Sequence, residues 1–314
     1  MPRLPGPVPA GLDAQRDLGI DWAVWLDRLP RLAAEVADEW SLTYDGPLWH
    51  GFCSLVAPVR TEDGTPAALK ITFDGDGESE FEGLALQRWH GNGTVRLLSA
   101  DPHRRALLLE RLHREDLTGL WDIEACEIVA GLYPRLHVPA LPQLRTVTSY
   151  VDGWLDSLAT LPRDAPIPRR LVEQALSLGR DLVADPASTG VIVHGDLHYE
   201  NVLAADREPW LVIDPKPMSG DPHYEPAPML LNRMDELAAS RDVQSVRDGL
   251  RRRFHTIVDA AGLDEDRARA WVVVRMVLNA NWSIEDADGA DRPLNADERD
   301  WITQCIAIAK AVQD

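Results

Sequence analysis

The sequence predicts an α+β protein of two lobes, a small N-terminal lobe built on a β-sheet that carries one helix and a larger, mostly helical C-terminal lobe. Three observations carry this. Two β-rich runs, CSLVAPVR and PAALKITF, are separated by TEDGT, whose Asp63-Gly64 pair is a strong hairpin signal. Beyond HREDLTG the apolar residues recur at helical spacing through long segments. The main interruption of that helical stretch is a strand pair, VIV and LVI, which reads as a hairpin around the polar loop HGDLHYEN.

Taken in order, residues 1–20 are rich in Pro and Gly and show no period, which predicts a loose arm. Leu29, Leu32, Ala33, Val36, Ala37 and Trp40 then mark one greasy helical face, with Pro30 suited to a first turn. The hairpin follows, and ESEFEGLALQRWH reads as a helix closed by GNG. TVRLL and RALLLERL, separated by SADPHR, predict two more strands. Residues 21–112 thus form the first lobe and 113–314 the second. The second draws its helices from WDIEACEIVAGLYPRLH, RRLVEQALSLGRDLV, DVQSVRDGLRRRFHTIVDAAG, RARAWVVVRMVLNANW and DERDWITQCIAIAK.

At 314 residues and 45% apolar content the chain can fill ordinary cores, and its net charge of −19 repels nucleic acid and anionic membranes while attracting cations. Cys53, Cys126 and Cys305 lie far apart without CxxC spacing, which points to neither zinc nor disulfides and fits a reducing cytoplasm. No apolar run has signal-peptide or membrane-spanning length. The expectation is a cytoplasmic, soluble protein with no nucleic-acid or membrane partner; oligomeric state is not legible.

The polar loop carries the chemistry. His194-Gly195-Asp196-Leu197 followed by Asn201 reproduces H-x-D-L-x-x-x-N spacing, in which Asp196 would be a catalytic base and Asn201 a magnesium ligand for phosphoryl transfer. The strand LVI then delivers Asp214, a second hard oxygen ligand. More than a hundred residues upstream, Lys70 ends the apolar run AALK and Glu82 opens the next helix, the order needed for a phosphate-binding lysine and its partner; Glu80 competes for the partner role. Singly, each of these residues is more often a turn cap or a solvated charge, but their order along the chain favours a shared site. Backbone amides from Gly51 to Ser54 are candidates for covering phosphates, although the loop holds one glycine. Glu110 to Leu112 stands where a chain leaving the first lobe would offer backbone groups to a purine.

These residues resemble a known family. HGDLHYENVL, WLVIDPKPMSGDPHYEPAPMLLNR and GTVRLLSADPHRRALLLERL look like the aminoglycoside phosphotransferases, in the branch of the streptomycin 6-kinases and hydroxyurea phosphotransferases, from about Trp22 to Trp282. The resemblance implies a protein-kinase-like fold, with the first lobe binding nucleotide and the second holding catalytic and substrate groups. It also implies ATP with Mg2+ as donor, and a hydroxyl of a small cationic antibiotic, most readily a streptomycin-like aminoglycoside, as acceptor. Asp196 then resembles the base, Asn201 and Asp214 the metal ligands, Lys70 the phosphate-binding lysine and Glu82 its partner. Tyr199-Glu200 stands where relatives often have Pro-Gly, which predicts added bulk and negative charge beside the acceptor. Carboxylates and an aromatic platform would suit a cationic sugar, so His198, Glu225, Trp282, Glu285 and Asp286 are candidate substrate contacts. Two alternatives stay open: a kinase of hydroxyurea or another small hydroxylated metabolite, and a catalytically silent ligand-binding relative.

Overall fold

The computed structural model describes residues 3–238 and 243–313. Two compact units form, one from the residues up to Glu115 together with Leu203–Lys216, the other from Asp116–Val202 and the residues from Pro217 onward. The first unit begins with α1 (Ala10–Asp13) and a 3-10 turn (Ala14–Leu18) where the sequence reads as a loose arm. The physical reason is Leu12, which is fully buried in the core and orders the turn around it. Met1 and Pro2 of that arm lie outside the described residues. Next, α2 (Ile20–Glu39) starts nine residues before the Leu29 periodicity, because Trp25 and Leu26 continue its buried face. Pro30 therefore sits inside the helix, on its exposed side, rather than in a first turn.

Six strands follow: β1 (Thr43–Tyr44), β2 (Trp49–His50), β3 (Ser54–Arg60), β4 (Pro66–Thr72), then, after α3 (Glu82–Trp89), β5 (Leu97–Asp101) and β6 (Ala106–Glu110). They form one antiparallel sheet in the order β1-β3-β4-β6-β5, with β2 also on β3. The expected hairpin is present, with Gly64 at φ +83° in its turn and Arg60 opposite Pro66. Leu55, Ala57, Val59, Leu69 and Ile71 share a core with Leu29, Ala33 and Val36 of α2. Each large aliphatic side chain buried there contributes about 1.5–3 kcal/mol. One strand differs from expectation: β5 begins at Leu97, while Thr94 and Val95 bridge to Val212 instead.

The chain then builds the second unit through α4 (Asp122–Leu136), α5 (Val147–Thr160), α6 (Arg169–Ala184) and β7 (Val191–Val193). Sequence reading missed α5, although Thr146 caps it and Val147, Val151, Leu155 and Leu158 line its buried face. β8 (Val202–Ala204) pairs with β9 (Trp210–Val212), and β7 pairs antiparallel with β10 (Met218–Gly220). The two strands flanking the polar loop therefore do not pair with each other, contrary to the expected hairpin. Gly220 explains why β10 suits β7, since a Cβ there would meet Val147 and Val193 at 2.7 Å. The unit closes with α7 (Pro226–Leu231), α8 (Met234–Ala238), α9 (Val243–Ala261), α10 (Glu265–Gly289) and α11 (Ala296–Ala311). Asp242, where a helix was expected to begin, and Asp314 lie outside the described residues. α10 is the centre of this core: Trp271, Val272, Val273, Val274, Met276 and Val277 are all buried, as expected of a helix apolar on every side.

Asp221, 1% exposed, ties α10 to the segment after β10. It accepts hydrogen bonds from Trp271 Nε1 at 2.7 Å, Arg267 Nε at 2.6 Å and the His223 backbone at 3.0 Å. Burial works to raise its carboxyl, but the bonds from His223 and Trp271 outweigh that and hold it below the usual carboxylate range. A carboxyl depressed by folding contributes stability above its unfolded value and loses it as pH falls through the folded one. Asp221→Asn is therefore expected to lose about 3 kcal/mol at neutral pH, measured by denaturant unfolding. The gap to wild type should narrow in acid below about pH 4; a pH-independent gap would contradict this assignment.

Candidate active site

In the first unit Lys70 lies in mid-sheet, opposite Val56 on β3 and Leu107 on β6, and is 5% exposed. Its Nζ donates to Glu82 Oε1 at 2.8 Å and Oε2 at 2.7 Å, and to Asp214 Oδ1 at 2.6 Å. Glu82 takes the partner position and Glu80 does not: Glu82 opens α3 on the buried side at 2% exposure, whereas Glu80 faces solvent. Burial opposes the Lys70 charge, yet Asp214 and Glu82 together hold its ammonium above the usual lysine range. Burial also raises Glu82, against the pull of Lys70. Asp214 arrives through the β8–β9 pair, which the Val95 and Val212 backbone bonds, both 2.9 Å, secure within the unit. It sits at φ +53°, a left-handed conformation that costs a non-glycine residue about 1–3 kcal/mol and recurs at functional sites.

The covering-loop candidates fare differently. Gly51 donates its N–H to Ser54 O at 3.0 Å, so that amide is already engaged, and Ser54 is buried as the first residue of β3. Glu110 donates its N–H to Arg96 O at 2.9 Å while its carboxylate receives Arg207 Nε at 2.8 Å; Leu112 is half-buried just beyond β6. A second polar centre near Lys70 was not anticipated. Asp76 receives Ser79 Oγ at 2.6 Å and Cys53 Sγ at 3.0 Å, and Lys216 Nζ stands 3.4 Å away. Its signal in the sequence was the charged residue set between two prolines in DPKP.

In the second unit the polar loop leaves β7 with His194 fully buried and Gly195 at φ +82°, a conformation that explains the glycine at this position. The Asp196 N–H donates to His194 Nδ1 at 3.2 Å, and the Asp196 carboxylate is 40% exposed. Asn201 Nδ2 donates to the Asp196 carbonyl at 2.8 Å and lies 3.2 Å from His198 Nε2. His198 caps the following turn and approaches the Asp196 carboxylate at 3.9 Å, so it is a loop residue before it is a substrate contact. Tyr199 adds no bulk to an acceptor face: it is fully buried, donates to Asp122, and lies under Arg233 at 5.0 Å. Glu200 remains exposed.

Glu225 corrects the sequence reading most sharply. Offered there as a substrate contact, it is fully buried and accepts the backbone N–H groups of His194 and Gly195. Burial works to raise its carboxyl, but His137 at 3.6 Å and the His194 N–H hold it below the usual glutamate range. From the other side Arg275 on α10 donates to the Gly195 carbonyl and stacks 4.4 Å over Tyr224. Sequence reading missed it, although a lone arginine in WVVVRMVL was the available signal. Trp282, Glu285 and Asp286 all lie on α10, the helix that also carries Arg275. Trp282 packs edge-on against Trp154 at 5.5 Å and Tyr150 at 6.4 Å, with Arg145 over Tyr150 at 4.6 Å. Glu285 accepts from Asn281 Nδ2 at 3.1 Å, and Asp286 is exposed.

A family model described as aminoglycoside/hydroxyurea antibiotic resistance kinase matches residues 39–287. The chain is 40% identical over 292 residues to the streptomycin 6-kinase of Streptomyces glaucescens, covering 91% of this chain and 93% of the relative. It is 39% identical over 276 residues to the hydroxyurea phosphotransferase of Kitasatospora aureofaciens, covering 85% and 76%. A solved choline/ethanolamine kinase family protein from Mesorhizobium loti aligns at TM-score 0.59 and 17% identity, over 90% of this chain and 95% of the other. These likenesses define a small-molecule phosphotransferase with a protein-kinase-like fold. Within that class the chain belongs to the aminoglycoside/hydroxyurea antibiotic resistance kinases. Among the described residues no helix is long and apolar enough to cross a membrane.

If Glu225 anchors the loop, Glu225→Gln, which cannot accept at both positions as a carboxylate does, loses about 2 kcal/mol. Hydrogen exchange at the His194 and Gly195 amides should accelerate roughly tenfold or more. Wild-type protection at both amides would rule out the anchoring role.

Proposed function

We propose that the protein transfers the γ-phosphoryl group of ATP to a hydroxyl of a streptomycin-like aminoglycoside. The observation that carries this reading is the buried Lys70 ammonium held by two carboxylates. One positive charge facing two negative ones leaves the site anionic, a poor resting state for a merely structural ion pair and a fitting one for a site that also takes a metal. Each unit offers an oxygen donor of the kind magnesium prefers: in the first, Asp214 presents a carboxylate about a third exposed, and in the second, the nitrogen of Asn201 is engaged by the Asp196 carbonyl, which leaves its side-chain oxygen for a hard cation. Magnesium held by such donors would neutralise charge on the phosphates.

In this reading Lys70 contacts the phosphates and Glu82 keeps it extended in mid-sheet. Asp196, with its carboxylate half-open to solvent, accepts the proton of the attacking hydroxyl. The protein supplies position and charge rather than a covalent intermediate. The similarity to a streptomycin 6-kinase over nine-tenths of both chains supports the acceptor, and the net charge of −19 favours a cationic one. Phosphorylation of hydroxyurea is the second reading, favoured by the relative of that name.

Incubation with ATP, Mg2+ and streptomycin or hydroxyurea, read as the gain of one phosphoryl group by mass, separates the two; no product from either would overturn both. Asp196→Asn should lower turnover by about 10²–10⁴-fold with nucleotide affinity kept. Near-normal turnover in that variant would remove Asp196 from the mechanism.

A further inference from the structure

Asp214-Pro215-Lys216-Pro217 places a second ammonium two residues beyond the carboxylate that holds Lys70. The prolines on either side fix φ at their own positions and stiffen the segment, so Lys216 is presented with little backbone freedom. Its side chain is 19% exposed, and the ion pair it makes, to Asp76 Oδ2, is long at 3.4 Å. Burial works to raise the Asp76 carboxyl and Lys216 does most to hold it down, but the carboxylate has other donors as well. Oδ2 already receives Ser79 Oγ at 2.6 Å and Cys53 Sγ at 3.0 Å, and Oδ1 receives the Glu78 N–H at 3.1 Å. Burial pushes the Cys53 thiol up to about 12, so it is protonated and able to donate. The backbone carbonyl of Asp76 is taken by Arg105 Nη2 at 2.6 Å. Lys216 is thus a largely buried cation on a long contact to a carboxylate that also has three other donors, beside both the Gly51–Ser54 turn, through Cys53, and the Lys70–Asp214 pair.

From this arrangement we infer that Lys216 is a second phosphate-binding residue, which exchanges its long contact with Asp76 for a charge-assisted bond to the triphosphate of the nucleotide. The inference rests on the proposed ATP-dependent reaction and adds to it a residue that the sequence order of motifs did not assign. Lys70 is committed to two carboxylates at 2.6–2.8 Å and has limited capacity to follow a moving phosphoryl group. Lys216, on a longer and weaker contact, has that capacity. Its only competing role is as a staple between the DPKP segment and the turn around Asp76.

Calorimetric titration of the full-length protein with MgATP and with adenosine separates these roles without needing an acceptor. Lys216→Gln is expected to weaken MgATP binding roughly tenfold or more while adenosine binding holds, and Lys216→Arg should restore most of the loss. Asp76→Asn should keep the wild-type ratio of the two affinities. If Lys216→Gln leaves that ratio unchanged, or Asp76→Asn lowers it equally, Lys216 is only a staple and the inference fails. Should Lys216→Gln not fold, the Asp76→Asn and Lys216→Arg ratios still decide: loss of MgATP preference in both overturns the inference, and its retention in both supports it. A wild-type protein that binds no MgATP would instead defeat the proposed function itself.

Discussion

One buried ammonium organises the first unit. Lys70 can be kept charged at 5% exposure only because Glu82 and Asp214 reach it from two other parts of the chain. That requirement constrains everything near it. β4 must be flanked by β3 and β6 so that Lys70 is covered, and α3 must begin at residue 82 rather than 80. The β8–β9 pair must be bonded to Val95 so that its final strand ends beside the lysine. Asp214 accepts a left-handed backbone to make the contact. A buried ion pair of this kind is weak evidence for stability, since hydrophobic side chains of similar volume usually serve as well. Its retention with a surplus carboxylate speaks for chemistry.

The second unit solves a different problem, the holding of a polar loop in a defined shape. His194, Gly195 and Asp196 leave β7 with a positive φ in their midst. Glu225 fastens the loop's amides from below, and Arg275 fastens its carbonyl from α10. Glu225 is fully buried and Arg275 partly so, and each would be costly unpaired, so the loop and its supports are stable only together. Asn201 completes the arrangement by closing on the Asp196 carbonyl. The exposed carboxylate of Asp196 is thereby offered on a rigid support, as a positioned base requires.

Much of this was legible in the chain. The Asp63-Gly64 turn, the β-rich runs of β3 and β4, the lysine at the end of AALK and the spacing of the HGD loop are local patterns, and local patterns follow from local sterics. The misses share one cause. Glu225 looked like a substrate contact, Tyr199 like added bulk beside the acceptor, and the VIV and LVI runs like partners, because nothing within a few residues of each says which way it faces. Leu12 in an apparently loose arm and α5 behind a loop-like stretch were hidden for the same reason: tertiary burial, not local period, ordered them.

By itself, then, the sequence determined the class of fold, the family and the types of side chain available for phosphoryl transfer, since period, turn chemistry and motif order are carried along the backbone. Only the tertiary structure decided which of two glutamates meets Lys70, which acid supports the loop instead of a substrate, and where Lys216 lies. Those outcomes depend on distances between residues 12 to 140 positions apart and on the cost of burying a charge without a partner. Neither quantity is written in the order of residues alone.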